Sequence, residues 1–378
     1  MFNYLLIKLA SRCNLDCSYC YWFRDGSVRR LPSLISPSVE GALVRRIEEH
    51  IGRNGISNFT CSLHGGEPLL FGLRRMRGLL EKLSAVGDRQ NCRIQFALTT
   101  NAVLITADWV QLLRDFNVSV AVSIDGPPEI HDKRRLTVRG DASWRETVSG
   151  YFDLCRGGLS PAILAVCDPV ADPGEVYDHF AYDLGATFCD ILVPDANNDD
   201  KVESIAPFYI KLFDHWHDRA VGSKCEVRIL TEMVRGLVGL ETKIDTIGFA
   251  PTQTVCVSTD GQLEAHDVLR IAGEARSRTQ CNVFTHRLED ILADDLWCGI
   301  RDQSTQLSEF CLRCRYKRSC GGGQLAQRWS SERSYDNPSV YCSDYLAILD
   351  HIALRLRSDL RFENHNGWAA NTEMQLAV

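Results

Sequence analysis

Three cysteines in the run Ser11-Arg12-Cys13-Asn14-Leu15-Asp16-Cys17-Ser18-Tyr19-Cys20-Tyr21 carry the strongest chemical signal in the chain. Cys-x3-Cys-x2-Cys, on a loop straight after a short apolar strand, supplies three thiolates, one short of the four that enclose a [4Fe–4S] cluster. Three ligands leave one iron open to a small chelating molecule, as catalytic metal sites keep a position open. The alternatives are a zinc knuckle or three free thiols. Zinc normally takes four ligands, and no His or Cys nearby completes the set. A second group, Cys311-x2-Cys314-x5-Cys320 followed by Cys342, supplies four thiolates. Gly321-Gly322-Gly323 lets the backbone there wrap around something bulky. A four-cysteine zinc site and a second cluster both fit that pattern.

The composition sets bounds on these readings. The chain has 378 residues, 45% of them apolar and 24% charged, as in an ordinary soluble globular protein. Sixteen cysteines are too many for indifference, and seven fall in the two spaced groups, which favours metal over disulfides. The other nine, Cys256 among them, mostly sit singly in apolar runs and read as small core residues. A net charge of −7 argues against a nucleic-acid partner. No stretch approaches the ~20 apolar residues of a membrane span, and the first ten residues do not make a signal peptide. A cytoplasmic location, where thiols stay reduced, is expected.

The elements that must position these groups follow from periodicity. Apolar runs at 3–9, 57–63, 93–99, 118–124, 162–167 and 188–193 read as strands, separated by amphipathic stretches such as 37–52. In that stretch Val39, Leu43, Ile47 and Ile51 recur every four residues behind Ser36-Pro37, a cap and first helical residue. Six β-then-α units predict an α/β fold with a parallel sheet, open as a partial (β/α)6 barrel, binding its ligands at the carboxyl ends of the strands. Beyond residue 200 the pattern changes. A helical stretch, 203–243, leads to a strand-like pair around Val255-Cys256-Val257 and Gly261-Gln262-Leu263. The cysteine-rich segment 311–342, a terminal helix from Ser343 to Leu356 and a weakly structured tail from Asn364 follow. The expected division is 1–202, 203–245 and 246–378.

Four strand ends carry polar motifs. Gly65-Gly66-Glu67-Pro68 exposes backbone and a carboxylate able to hold an ammonium, or is a turn with an exposed acid. Thr100-Asn101 and Ser123-Ile124-Asp125 offer hydrogen bonds to ligand hydroxyls, or cap helices and turns. His131 reads as an acid or base, or as a satisfied structural histidine, and Arg135 as a carboxylate binder.

Taken together, these motifs resemble the radical SAM superfamily. The resemblance implies that Cys13, Cys17 and Cys20 hold a [4Fe–4S] cluster whose open iron binds S-adenosylmethionine (SAM). Reduction then yields a 5′-deoxyadenosyl radical. It also implies that Gly65, Gly66, Glu67, Pro68, Thr100, Asn101, Ser123, Asp125 and Arg135 contact SAM. The C-terminal cysteines resemble the SPASM extension, which in full uses seven cysteines for two auxiliary clusters. Here Gln324 and His266 stand at two of those places, while Cys256 survives. One auxiliary [4Fe–4S] cluster, on Cys311, Cys314, Cys320 and Cys342, is therefore expected.

Over 3–355, the segments Leu192–Asn197, Thr259-Asp260-Gly261, Cys320–Gly323 and Asp336–Cys342 resemble the three-residue-cyclophane-forming radical SAM/SPASM peptide maturases. That group joins an aromatic ring carbon to the β-carbon of a residue two positions along in a ribosomally made precursor peptide. The implied partners are such a peptide and a flavodoxin- or ferredoxin-type electron donor. Asp195, with His131 beside it as a second candidate, is the expected proton base. Thioether formation, epimerisation or residue oxidation are the alternatives, and an electron-transfer iron–sulfur protein is a distant one.

Overall fold

The computed structural model describes residues 1–219, 225–249, 251–274 and 276–365, with side chains up to 359. Its strands are β1 (Tyr4–Ala10), β2 (Leu15–Cys17), β3 (Asn58–Gly65), β4 (Arg93–Thr100), β5 (Ser119–Ser123), β6 (Arg135–Thr137), β7 (Ala162–Val166), β8 (Phe188–Leu192), β9 (Glu226–Val227), β10 (Val255–Val257), β11 (Gln262–Ala265) and β12 (Arg278–Asn282). All six expected strands form, each within two residues of its expected ends. Two compact units result: residues 1–164 with 252–301, and residues 165–251 with 302–378.

In the first unit β1, β3, β4, β5 and β7 lie parallel in that order. Leu5, Leu6, Ile7, Leu9 and Ala10 of β1 are all buried, the signature of a sheet covered on both faces. The helix Pro37–Asn54 begins as expected: Ser36 accepts from the Val39 N–H, and Pro37 occupies the first turn. It ends at Gly55, whose φ of 60° suits a residue without Cβ.

The pair β10–β11 joins this same sheet. β10 lies parallel to β1, with Leu5 opposite Val255 and Ile7 opposite Val257, and β11 and β12 follow antiparallel. An uncovered β1 edge would leave its ladder groups unpaired, and the fully buried β10 satisfies them. Residues 252–301 are therefore part of the N-terminal unit, whereas the sequence pattern groups them with the cysteine-rich segment.

In the second unit β8 pairs parallel with β9, the helix Cys342–His365 packs against Ala206–Asp218 and Arg228–Leu237, and Arg228–Leu237 also meets the short turn Lys317–Cys320. The terminal helix runs past the expected Leu356, and the expected tail from Asn364 falls outside the described residues after His365. Among the described residues no helix is long and apolar enough to cross a membrane.

Candidate active site

The cysteine loop leaves the carboxyl end of β1 and is clamped from two sides. On one side the Gly66 N–H donates to the Ala10 carbonyl and the Glu67 N–H to the Arg12 carbonyl, both at 2.9 Å. A Cβ on Gly66 would stand 2.3 Å from the Arg12 oxygen, and one on Gly65 2.4 Å from that of Ala10. The two glycines thus let the end of β3 lie against the loop, and these N–H groups are spent on the loop rather than offered to a ligand. On the other side β2, which ends in Cys17, pairs antiparallel with β6, setting Cys17 opposite Arg135.

The three thiols are close enough to feel one another. Burial, then the Glu67 charge and the other two cysteines push the Cys13 thiol up to about 12, with the Leu15 N–H donating to Sγ at 3.3 Å. Burial also raises Cys17 to about 11, with Cys20 adding to the shift and Arg135 opposing it. Three partly buried thiolates in one loop need a cationic body between them. Three cysteines leave a fourth position open, which fits a four-iron cluster better than a structural zinc that takes four ligands.

The strand-end motifs form brackets around that loop. Glu67, 1% exposed, accepts from the Leu69 N–H at 3.0 Å, the Thr100 hydroxyl at 2.8 Å and the Asn101 N–H at 2.9 Å. Burial raises its carboxyl while the donated hydrogen bonds oppose the rise. The Asn101 carboxamide reaches Asn14 Oδ1 at 2.9 Å and Cys13 Sγ at 3.7 Å. Buried Pro68 opens the short turn that follows. Across the loop, Arg135 donates to the Tyr19 hydroxyl at 2.5 Å, and that hydroxyl donates to Asp125 at 2.6 Å. Ser123 ends β5 two residues earlier. His131, fully buried, accepts from the Asp125 N–H at 3.3 Å and meets the Ser143 hydroxyl at 3.2 Å. This is the setting of a structural histidine.

Sequence reasoning missed a second polar group in this unit. Lys8, fully buried in β1, pairs with Asp267, donates to the Tyr21 hydroxyl at 2.9 Å and meets half-buried His64 at 3.2 Å. Tyr21 in turn donates to Asp267. Burial opposes ionisation of Asp267, but the Lys8 ammonium outweighs it and holds the carboxyl well below its usual range. Burial and Lys8 press His64 down to about 3, so its ring is neutral. Behind this group Arg270 pairs with Asp25 and Glu264, each at 2.5 Å, and lies over Trp22. The detectable signal was Lys8 itself, a lysine inside an apolar strand. Cys256 is a core thiol held protonated by burial, and His266 stands 3.9 Å from Asp267.

In the second unit Cys311, Cys314, Cys320 and Cys342 line one small hollow, together with Phe310, Tyr316, Tyr345 and Leu349. Burial, followed by the charges of the other three cysteines, raises Cys320 to about 12. Gly321, with φ 63°, lies so close to Gly248 that a Cβ would meet its carbonyl at 1.8 Å. Four thiols converging on an apolar hollow fit a closed four-cysteine cluster. Asp195 lies beyond β8 in this unit, near enough to Tyr341 to help raise its phenol.

The chain resembles known proteins along most of its length. It is 26% identical to a cysteine-type anaerobic sulfatase-maturating enzyme of Clostridium perfringens, over 93% of this chain and 96% of that one. It is equally identical to an uncharacterized protein of Synechocystis, over 91% of this chain and 88% of the relative. The solved structure of native anSMEcpe with bound AdoMet superposes with a TM-score of 0.82 at 22% identity, covering 95% of this chain and 99% of that one. The model of the radical SAM superfamily matches residues 7–181, a span holding the three-cysteine loop and every strand-end bracket around it. That match, with the maturating enzymes among its relatives, marks the chain as an enzyme of radical oxidative chemistry, similar through that span to the radical SAM superfamily.

Proposed function

We propose that this enzyme oxidises a ribosomally made precursor peptide, joining an aromatic ring carbon to the β-carbon of the residue two positions along. The observation that carries the reading is the hollow lined by four cysteines. A site closed by four thiolates has no position for substrate, so it suits electron transfer, which an oxidative crosslink requires. The resemblance of Leu192–Asn197 and Asp336–Cys342 to the cyclophane-forming maturases supports the crosslink.

When bound, the first cluster and SAM supply a radical able to take a hydrogen atom from unactivated carbon. Cys13, Cys17 and Cys20 hold that cluster. Asn101, by its carboxamide contact, orients Cys13. Tyr19, Arg135 and Asp125 fix the stretch carrying Cys17, with His131 supporting Asp125 from behind. Thr100, Ser123 and the Gly65–Pro68 turn line the strand ends beside it. Forming the crosslink costs the peptide one hydrogen atom from the β-carbon, then one electron and one proton from the ring. Cys311, Cys314, Cys320 and Cys342 would hold a second cluster, which would supply a site able to accept that electron. Asp195 takes the proton. A flavodoxin- or ferredoxin-type carrier supplies the starting electron in a reducing cytoplasm.

A second reading is favoured by the full-length similarity to a cysteine-type sulfatase-maturating enzyme: modification of a cysteine in a sulfatase. Incubating the reduced enzyme with SAM and either a precursor peptide or a sulfatase-derived cysteine peptide tests both. Formation of 5′-deoxyadenosine with a precursor lighter by two hydrogens supports the crosslink. Modification of the sulfatase peptide alone supports the rival.

A further inference from the structure

His64 stands next to the end of β3, beside the Gly65–Pro68 turn and opposite Lys8 of β1. An ammonium has three N–H groups to donate and nothing with which to accept. Lys8 directs them to Asp267, to the Tyr21 hydroxyl at 2.9 Å and to His64 Nδ1 at 3.2 Å. Nδ1 must therefore carry its lone pair, and the one proton of the neutral ring sits on Nε2. Among the described residues the only other backbone group acting on the ring is the Gly65 carbonyl, the weakest of its influences.

The sheet face that carries His64 is the open one. Leu63 pairs with Leu98, so His64 shares the opposite face with Ala97 and Thr99 of β4. The same face continues through Ala121 and Ser123 of β5 to Ala162 of β7. All six are half-buried, whereas Leu63, Leu98, Val122 and Ile163 on the other face are buried. Small side chains leave room over this face, and His64 stands at its carboxyl end, where the cysteine loop leaves β1.

We propose that His64 is a binding residue of the radical reaction, presenting Nε2–H as a fixed donor to an acceptor oxygen of a molecule held on this face. That oxygen belongs to SAM or to a carbonyl of the peptide. A neutral ring gives up less hydration than an imidazolium when a ligand closes over it. The Lys8 contact removes the second tautomer beforehand, so less freedom is lost on binding. The inference rests on the SAM-dependent reading of these strand ends, whereas the tautomer does not.

The test is NMR of the iron-loaded enzyme labelled with nitrogen-15 in its histidine rings. Spectra are taken alone, with SAM, and with SAM plus either a sulfatase-derived cysteine peptide or a synthetic aromatic-x-x peptide. The His64 signal is the one absent from His64→Gln. A ring protonated at Nε2 is expected throughout. Its N–H signal should move downfield on adding SAM if SAM supplies the oxygen, and only on adding a peptide if the peptide does. His64→Leu, which removes the donor, should weaken binding of that same molecule about three- to tenfold, and His64→Gln, which keeps an N–H, should lose less. Both variants should keep their iron content. A ring protonated at Nδ1 would overturn the proposal. So would an Nε2–H signal unmoved by SAM and by both peptides, or full affinity in His64→Leu. Failure of the unaltered enzyme to form 5′-deoxyadenosine would instead sink the SAM-dependent reading and leave the tautomer standing.

Discussion

Asn101 joins the end of β4 to the cysteine loop: its N–H is bonded to Glu67 at 2.9 Å, and its carboxamide lies 3.7 Å from Cys13 Sγ. Glu67 therefore acts on the first cluster site from behind, through Asn101. Glu67→Ala strands two backbone N–H groups and the Thr100 hydroxyl in a buried place, at about 1–3 kcal/mol for each group left unsatisfied. The expected result is a lower melting temperature and SAM affinity reduced about ten- to a hundredfold. Glu67→Gln should fall between, since its amide N–H₂ faces a donor where the carboxylate accepted one. Thermal unfolding and equilibrium SAM binding check this. An unchanged melting temperature with SAM binding lost would mark Glu67 as a direct ligand instead.

The cysteine count sets the iron content. Anaerobically reconstituted enzyme should hold about eight irons, as two four-iron clusters. Cys13→Ala/Cys17→Ala/Cys20→Ala should leave about half and no SAM cleavage. Cys311→Ala/Cys342→Ala should leave the other half with SAM cleavage intact. Iron and acid-labile sulfide assays with Mössbauer spectra decide the matter. About twelve irons would mean that Cys256 or His266 helps to hold a third cluster.

What the sequence revealed and what it hid divide along the range of the interaction. The cysteine loop, the capped helix Pro37–Asn54 and the strand ends depend on residues a few positions apart, so spacing and periodicity expose them. Lys8 with Asp267, and Arg270 with Asp25, join residues far apart in the chain, which only the pairing of β10 with β1 brings together. The strand-end motifs were legible as polar positions, but their geometry was not. Glu67 and His131 look like exposed chemistry in a linear reading, yet each is buried and bonded to its neighbours.

His64 gives a pH dependence. Its folded value of about 3 lies below the ordinary 6.5, so between these limits the unfolded chain binds a proton that the native state refuses. Stability from this group is therefore undiminished above pH 6.5 and falls as pH drops toward 3. The loss reaches up to about 2 kcal/mol at pH 5, an upper limit because the ring is partly exposed. Asp267 acts in the same direction in a lower window, beneath the usual carboxylate range. Urea unfolding at pH 7 and pH 5 should show a smaller acid penalty for His64→Gln than for the unaltered protein. Equal penalties would mean that His64 titrates normally in the native state.

The proton acceptor and the bond formed are tested by one labelling experiment. If the β-hydrogen of the third residue is the atom removed, deuterium placed there should appear in 5′-deoxyadenosine. The product should be lighter by two hydrogens per crosslink, and its tandem mass spectra should lack cleavage within the bridged triplet. Asp195→Asn should still transfer the label yet stall before product, because hydrogen abstraction precedes loss of the ring proton. A fully active Asp195→Asn enzyme would overturn the base assignment. Label arriving from an α-carbon, without loss of mass, would replace the crosslink by epimerisation while leaving the radical chemistry in place.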